Sequence, residues 1–180
     1  MKKHLFLIGF MGSGKTYWGK RLAEACPLPF IDLDQLLEAG EGQPIADLFA
    51  RAGEEAFRIV ERRYLHSLAE SPPSIVATGG GTPCFFDNLA WMRAHGVVLW
   101  IDVPFEVLWA RLQGVEQHKR PLLAQATLED ARQLWQERRA CYQQADFTVT
   151  PLSEGEEGAF WGKLWATAQA ALKGALPGDG

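Results

Sequence analysis

Gly9-Phe10-Met11-Gly12-Ser13-Gly14-Lys15-Thr16 matches the phosphate-binding pattern G-x-x-x-x-G-K-[ST] at every position. Its flanks supply the setting that the pattern requires. Upstream, Leu5-Phe6-Leu7-Ile8 is a short continuous apolar run, which is how a strand buried on both faces of a parallel sheet reads. Downstream, Trp18, Leu22 and Ala25 recur at helical spacing, so the loop joins a strand to an amphipathic helix. Glycines let such a loop curl until successive N–H groups point at phosphate oxygens, and the helix N-terminus adds the positive end of its dipole. In this setting Lys15 reaches the β- and γ-phosphates as a point charge, and Thr16 offers its hydroxyl to Mg²⁺. The stretch predicts a nucleotide-binding α/β chain.

At 180 residues the chain can bury one sizeable core, and no internal repeat or composition shift marks a second. One domain over 1–174 is expected, followed by a flexible tail at 175–180 that ends in Pro177-Gly178-Asp179-Gly180. The net charge of -4, with no long basic run, argues against a nucleic-acid partner. Cys26, Cys84 and Cys141 are odd in number, far apart and without a C-x-x-C pair. That usage suits a reducing compartment, so the cytoplasm is the expected location. The N-terminal apolar run is only a few residues long and leads straight into the loop, so neither a signal peptide nor a membrane span is expected there. A monomer without a membrane partner is the expectation.

After the break at Cys26-Pro27-Leu28-Pro29, Phe30-Ile31-Asp32-Leu33-Asp34 reads as a second strand ending in two carboxylates. Residues two apart in an extended segment share a face, so Asp32 and Asp34 can both point at one site. One would support a metal's water shell while the other receives a proton. Alternatively Asp34 caps the helix that starts at Gln35, and the two roles can coexist. Pro44 opens a helix that is interrupted at Gly53 and resumes from Glu54, with Ala56, Val60, Tyr64 and Leu68 as its core stripe. Arg58 lies off that stripe, beside Phe49 and Phe57; it also reads as a surface arginine paired with Glu54 or Glu61.

Ser74-Ile75-Val76-Ala77-Thr78 reads as a third strand and runs into Gly79-Gly80-Gly81. Three glycines after a buried strand imply a close backbone approach that any Cβ would obstruct. Val97-Val98-Leu99-Trp100-Ile101 is the fourth strand, and Asp102 is assigned to the entry of the helix opened by Pro104. Beyond the helix from Phe105 to Leu112, a polar stretch containing Gly114 and Pro121 reads equally as a mobile lid or as a solvated loop. A long amphipathic helix from Leu128 to Tyr142 carries Arg132, Arg138 and Arg139, and Phe147-Thr148-Val149 is the fifth strand. Trp161, Leu164, Trp165, Ala168 and Leu172 form the apolar face of a last helix, and helical spacing makes most of the seven tryptophans core. The four histidines form no ligand or catalytic pattern.

Over roughly the first 150 residues these segments resemble a shikimate kinase. The resemblance is carried by residues 9–16, by Phe30-Ile31-Asp32-Leu33-Asp34 and by Gly53-Glu54 with Phe57-Arg58 and Glu61. Gly79-Gly80-Gly81, Arg120-Pro121-Leu122-Leu123, and Arg138 four residues before Tyr142 complete it. It implies a three-layer α/β/α fold of the nucleoside-monophosphate-kinase type, with a five-stranded parallel sheet and a mobile lid over about 113–123. ATP would be the phosphoryl donor and Mg²⁺ the metal, and the acceptor would be the 3-hydroxyl of shikimate. The products would be shikimate 3-phosphate and ADP, in the route to chorismate and the aromatic amino acids.

Carried over residue by residue, the resemblance places Gly12, Ser13, Gly14, Lys15, Thr16 and Tyr17 on the nucleotide. Arg111 would stack near adenine, and Arg120 would be the lid cation, counted with Lys15 and Asp34 as catalytic. Asp34 would be the base. Thr16 and Asp32 would serve the metal, Asp32 through water. Arg58 and Arg138 would grip the substrate carboxylate, with Asp34, Gly79, Gly80 and Gly81 around the ring hydroxyls. Paired planar guanidinium groups suit such an acid because each bonds a carboxylate bidentately.

Four positions depart from the family pattern: Tyr17-Trp18 behind the loop, Thr82-Pro83-Cys84 after the glycines, a slightly longer lid between Arg111 and Arg120, and Pro151-Leu152-Ser153-Glu154 without a basic residue. Rival readings are a gluconate or nucleoside-monophosphate kinase, a GTP-dependent switch and a catalytically silent relative. The switch would want N-K-x-D, yet Asn88 is the sole asparagine and no lysine follows it. Intact Lys15, Thr16, Asp34 and Arg120 argue against decay.

Overall fold

Strand β1 (His4–Ile8) is the apolar run before the phosphate loop, and all five of its residues are buried. It lies in the middle of a sheet whose remaining strands are β2 (Phe30–Asp32), β3 (Ile75–Ala77), β4 (Gly96–Ile101) and β5 (Phe147–Val149). Every pairing is parallel, in the spatial order β2-β3-β1-β4-β5. Leu5 is in register with Ile75 on one side and Val97 on the other. The computed structural model describes residues 4–113, 126–151 and 157–173. Its helices are α1 (Lys15–Ala25), α2 (Leu33–Glu41), α3 (Ile45–Ser67), α4 (Asn88–His95), α5 (Phe105–Gln113), α6 (Leu128–Tyr142) and α7 (Glu157–Leu172). Short 3-10 turns occupy Leu68–Glu70 and Thr82–Cys84. The expected five-stranded parallel sheet with flanking helices is therefore what the chain forms.

Because β1 pairs with β3 on one side and β4 on the other, the connections leave it in opposite directions and open a crevice at its C-terminal end. The phosphate loop after β1, Asp32 at the end of β2 and the glycines after β3 all gather there. The main core runs through the sheet and includes Leu7, Val76 and Leu99 with Leu22 and Leu164 from the covering helices. A smaller cluster of Leu37, Leu48 and Phe57 joins α2 to α3 apart from it.

Several local expectations change. Ala25 is exposed and Gly19 is buried in α1, where a Cβ would stand 2.4 Å from the Phe30 ring. Strand β2 stops at Asp32, and it is this residue, not Asp34, that caps α2: its Oδ1 accepts the N–H groups of Asp34 at 3.1 Å and Gln35 at 3.2 Å. Helix α3 kinks at Gly53, whose φ of 81° lies in the left-handed region that favours glycine. Its fully buried face is Phe57, Arg58, Glu61 and Leu65, while Ala56, Val60 and Tyr64 are half-buried. The stripe is displaced because this face turns toward a polar cleft, which a search for apolar periodicity cannot register. Asp102, assigned to helix entry, instead accepts from Arg139 of α6 at 3.4 Å, and its N–H donates to Val149. Of the seven tryptophans, Trp18 and Trp100 are buried and the other five are half-buried.

Candidate active site

The phosphate loop holds its curl with three left-handed glycines: Gly9, Gly12 and Gly14 have φ of 146°, 81° and 89°. A Cβ on Gly9 would also sit 2.8 Å from the Ile101 carbonyl. The Lys15 ammonium is buried across the loop and donates to the carbonyls of Gly9 at 2.8 Å and Phe10 at 3.0 Å. Thr16 opens α1 and donates its hydroxyl to Asp32 Oδ2 at 2.7 Å. Behind the loop, Trp18 stands against Gly14 and packs on Phe160 and Trp161 of α7, at centroid distances of 4.8 and 6.2 Å. That is how the fold accommodates the unusual Tyr17-Trp18 pair. Tyr17 itself is exposed, donates to Glu157 at 2.7 Å and borders the cleft. Arg111, also exposed, donates to the Gly12 carbonyl at 3.0 Å, which puts its guanidinium on the loop.

A cleft of about 520 Å³ extends from this loop, lined by Lys15, Asp34, Arg58, Glu61, the three glycines and Arg138. Asp34, in the first turn of α2, is the most perturbed acid there. Burial, then the Glu61 and Asp32 carboxylates, push it up to about 7 against the opposing pull of Lys15. Arg58 is 4% exposed, so the surface reading fails. It does pair with both acids that reading named, Glu61 at 2.9 Å and Glu54 at 3.1 Å, inside the cleft wall. Its guanidinium lies over Phe57 at 5.0 Å and Phe85 at 4.2 Å; Phe85 takes the place expected for Phe49.

Arg138, 5% exposed on α6, has no carboxylate within ion-pair distance among the described residues. Its guanidinium lies near the Phe10 ring and against Gly80, where a Cβ would stand 3.3 Å from Nη1. A Cβ on Gly81 would meet Arg58 Nη2 at 2.5 Å, and one on Gly79 would meet Glu61, Thr82 and Asp34 oxygens at 2.9–3.0 Å. The glycines thus let both arginines and Asp34 close on one small space.

Of the groups that hold these in place, the residues alone named Glu61 only as a partner of a surface Arg58 and gave Tyr142 no role. Glu61, 1% exposed, takes Arg58 on one oxygen and the Thr82 hydroxyl at 2.6 Å on the other. Tyr142 donates its buried hydroxyl to the Gly80 carbonyl. The available signal was spacing: Glu61 follows Arg58 by three positions on one helix face. Arg120 and the lid positions 114–123 lie outside the described residues.

A phosphate-binding loop at the switch point of a parallel sheet, facing a second pocket walled by two buried arginines and a raised carboxyl, defines a small-molecule kinase. The shikimate kinase family model matches residues 11–164. A shikimate kinase of Parabacteroides distasonis is 45% identical over 72% of this chain and 75% of its own length. Among solved structures, shikimate kinase from Bacteroides thetaiotaomicron superposes with a TM-score of 0.80 at 30% identity, covering 93% of this chain and 98% of that one. Shikimate kinase from Acinetobacter baumannii in complex with shikimate gives 0.84 at 28% identity, covering 96% of each chain. The chain belongs to the shikimate kinase family, and ATP is its phosphoryl donor.

Proposed function

We propose that this chain transfers the γ-phosphoryl group of ATP to the 3-hydroxyl of shikimate, forming shikimate 3-phosphate and ADP. Membership of the family supports the reaction, and one observation in the site carries the substrate: the buried Arg138 guanidinium, without an acid partner among the described residues, facing Gly80 beside Arg58. A buried cation of this kind is costly until an anion meets it, and the acceptor carboxylate is that anion. Glu61 takes Arg58 Nη1 and Glu54 takes Nε and Nη2, which holds the guanidinium in the wall and leaves one N–H on each terminal nitrogen for the same carboxylate.

Asp34 takes the proton of the attacking hydroxyl; at about 7 its carboxyl is matched to a proton transfer near neutral pH. Lys15 exchanges the loop carbonyls for phosphate oxygens and neutralises charge there. Thr16 and Asp32 fit a hydrated Mg²⁺, since a hydroxyl and a carboxylate are already 2.7 Å apart beside the phosphate loop. Among the described residues no three His, Cys, Asp or Glu side chains gather as a cage, so the ion would take its other ligands from phosphate and water. Bound there, Mg²⁺ supplies positive charge at the phosphates. Arg120 remains the proposed cation for the transferring group on the sequence resemblance alone.

Among the described residues no helix is long and apolar enough to cross a membrane. We place the chain in the cytoplasm, as a monomer without a nucleic-acid partner, on its composition. An ADP-release assay over shikimate, gluconate, nucleoside monophosphates and related hydroxy acids tests the reaction. Turnover with shikimate alone is expected, and faster turnover of another acceptor would refute the assignment.

A further inference from the structure

Two of the three cysteines meet where the pocket's arginines are anchored. Cys84 closes the 3-10 turn after the glycines, and Cys141 lies in the last turn of α6, which packs on that turn. Across that contact each thiol is the other's strongest electrostatic neighbour, and both are half-buried and so within reach of solvent. Arg138 precedes Cys141 by three positions on α6, and the fields of Arg138 and Arg58 both fall on Cys84. Phe85, which covers Arg58, follows Cys84 directly, and Tyr142, which holds Gly80, follows Cys141. The Arg138 cation favours the thiolate of both, against burial. Either sulfur can therefore react first.

We propose that Cys84 and Cys141 form a reversible disulfide in response to peroxide, and that this bond disables the acceptor pocket. The thiolate of either cysteine attacks one peroxide oxygen, the O–O bond breaks, and the departing hydroxide takes a proton to become water, leaving a sulfenic acid. The other thiol, giving up its proton, attacks the oxidised sulfur; the S–S bond forms, the S–O bond breaks, and a second water leaves. Two sulfurs lose one electron each and the peroxide gains two. Two unbonded sulfurs stand well outside the roughly 2.05 Å of an S–S bond, so closing it draws the end of α6 and the 82–84 turn together. Arg138 and the Phe85 cover of Arg58 ride on those two segments. The bond itself is independent of the proposed function, but its effect on acceptor affinity rests on Arg58 and Arg138 binding the acceptor.

The test treats the full chain with hydrogen peroxide and counts free thiols, maps the linkage by mass spectrometry after non-reducing digestion, and titrates shikimate and ADP separately. The count should fall from three to one, with Cys84 joined to Cys141 and Cys26 free, and dithiothreitol should restore it. Shikimate affinity should drop at least about tenfold, the scale of a small misplacement of binding groups, with ADP affinity within about twofold. Cys84→Ser and Cys141→Ser should each remain active and block the loss. Should those variants misfold, the linkage map of the unaltered chain decides alone. Bonding through Cys26 or between chains, or oxidation of Cys84 or Cys141 to sulfinic acid without pairing, overturns the proposal. A correct disulfide with unchanged shikimate affinity overturns its second half if Arg58→Ala weakens shikimate binding; if Arg58→Ala has no effect either, the pocket assignment is what fails.

Discussion

Asp34→Asn should make the protein more stable and nearly inactive, and the gain should depend on pH. The unfolded carboxyl ionises near 3.8 and the folded one near 7. Between those values the folded state holds the extra proton, so this group's contribution to stability falls as pH rises from about 4 to about 7. Raising a carboxyl from 3.8 to about 7 corresponds to roughly 4 kcal/mol at about 1.4 kcal/mol per pH unit, an upper bound where water enters the cleft. Asparagine keeps the shape and never ionises, so it escapes that penalty. At pH 8 the variant should therefore unfold up to roughly 8–16 °C above the parent, at roughly 2–4 °C per kcal/mol for a chain of this size. At pH 4 the two midpoints should coincide, because the parent's Asp34 is then protonated in the fold. Phosphoryl transfer should drop by roughly 10² or more, the scale of a lost general base, with ATP affinity within a few-fold. Thermal unfolding at the two pH values, read beside an ADP-release assay, makes the check. An equal gap at both pH values, or a variant less stable at pH 8, would refute the desolvation argument.

The two pocket arginines should part company in stability. Arg58→Ala strands the buried Glu61 carboxylate, so it should lose about 3–5 kcal/mol of stability along with acceptor binding. Arg138→Ala leaves no described carboxylate behind; acceptor affinity should fall by about 1.5–3 kcal/mol while the unfolding midpoint holds or rises. Calorimetric titration with shikimate and thermal scans of both variants separate the cases. Lys15→Ala should abolish nucleotide binding and transfer together, read by ADP titration. Gly81→Ala should weaken shikimate more than ADP, because the new methyl would stand 2.5 Å from Arg58 Nη2.

The sheet was readable because its three central strands are continuous apolar runs, and the phosphate loop because its glycines and lysine have few other uses. Residues of the acceptor pocket were named from resemblance, and what the residues alone said of Arg58 was half right: its partners were Glu54 and Glu61, its burial was missed. The reason is physical. A polar cleft buries charged side chains on a helix face where periodicity expects apolar ones, so the stripe at Ala56, Val60 and Tyr64 came out displaced from Phe57, Glu61 and Leu65. Capping by Asp32 in place of Asp34 turned on where β2 ends, and strand ends are set by pairing to β3 rather than by local composition.

The separation of Leu37, Leu48 and Phe57 from the main core has a thermodynamic consequence. Helix α3 spans both clusters, with Leu65 in the larger and Phe57 in the smaller, and Arg58 stands between them. Three buried side chains at about 1.5–3 kcal/mol each hold α2 to the first half of α3. That arm forms a subglobal unit whose amides exchange through openings that leave the sheet intact. If the acceptor bridges Arg58 on the arm to Arg138 on α6 as proposed, it must be released before the arm opens, so its binding free energy is added to the local opening. Exchange at Leu37 and Leu48 should slow with shikimate concentration in proportion to occupancy, while exchange in β1 stays tied to global unfolding.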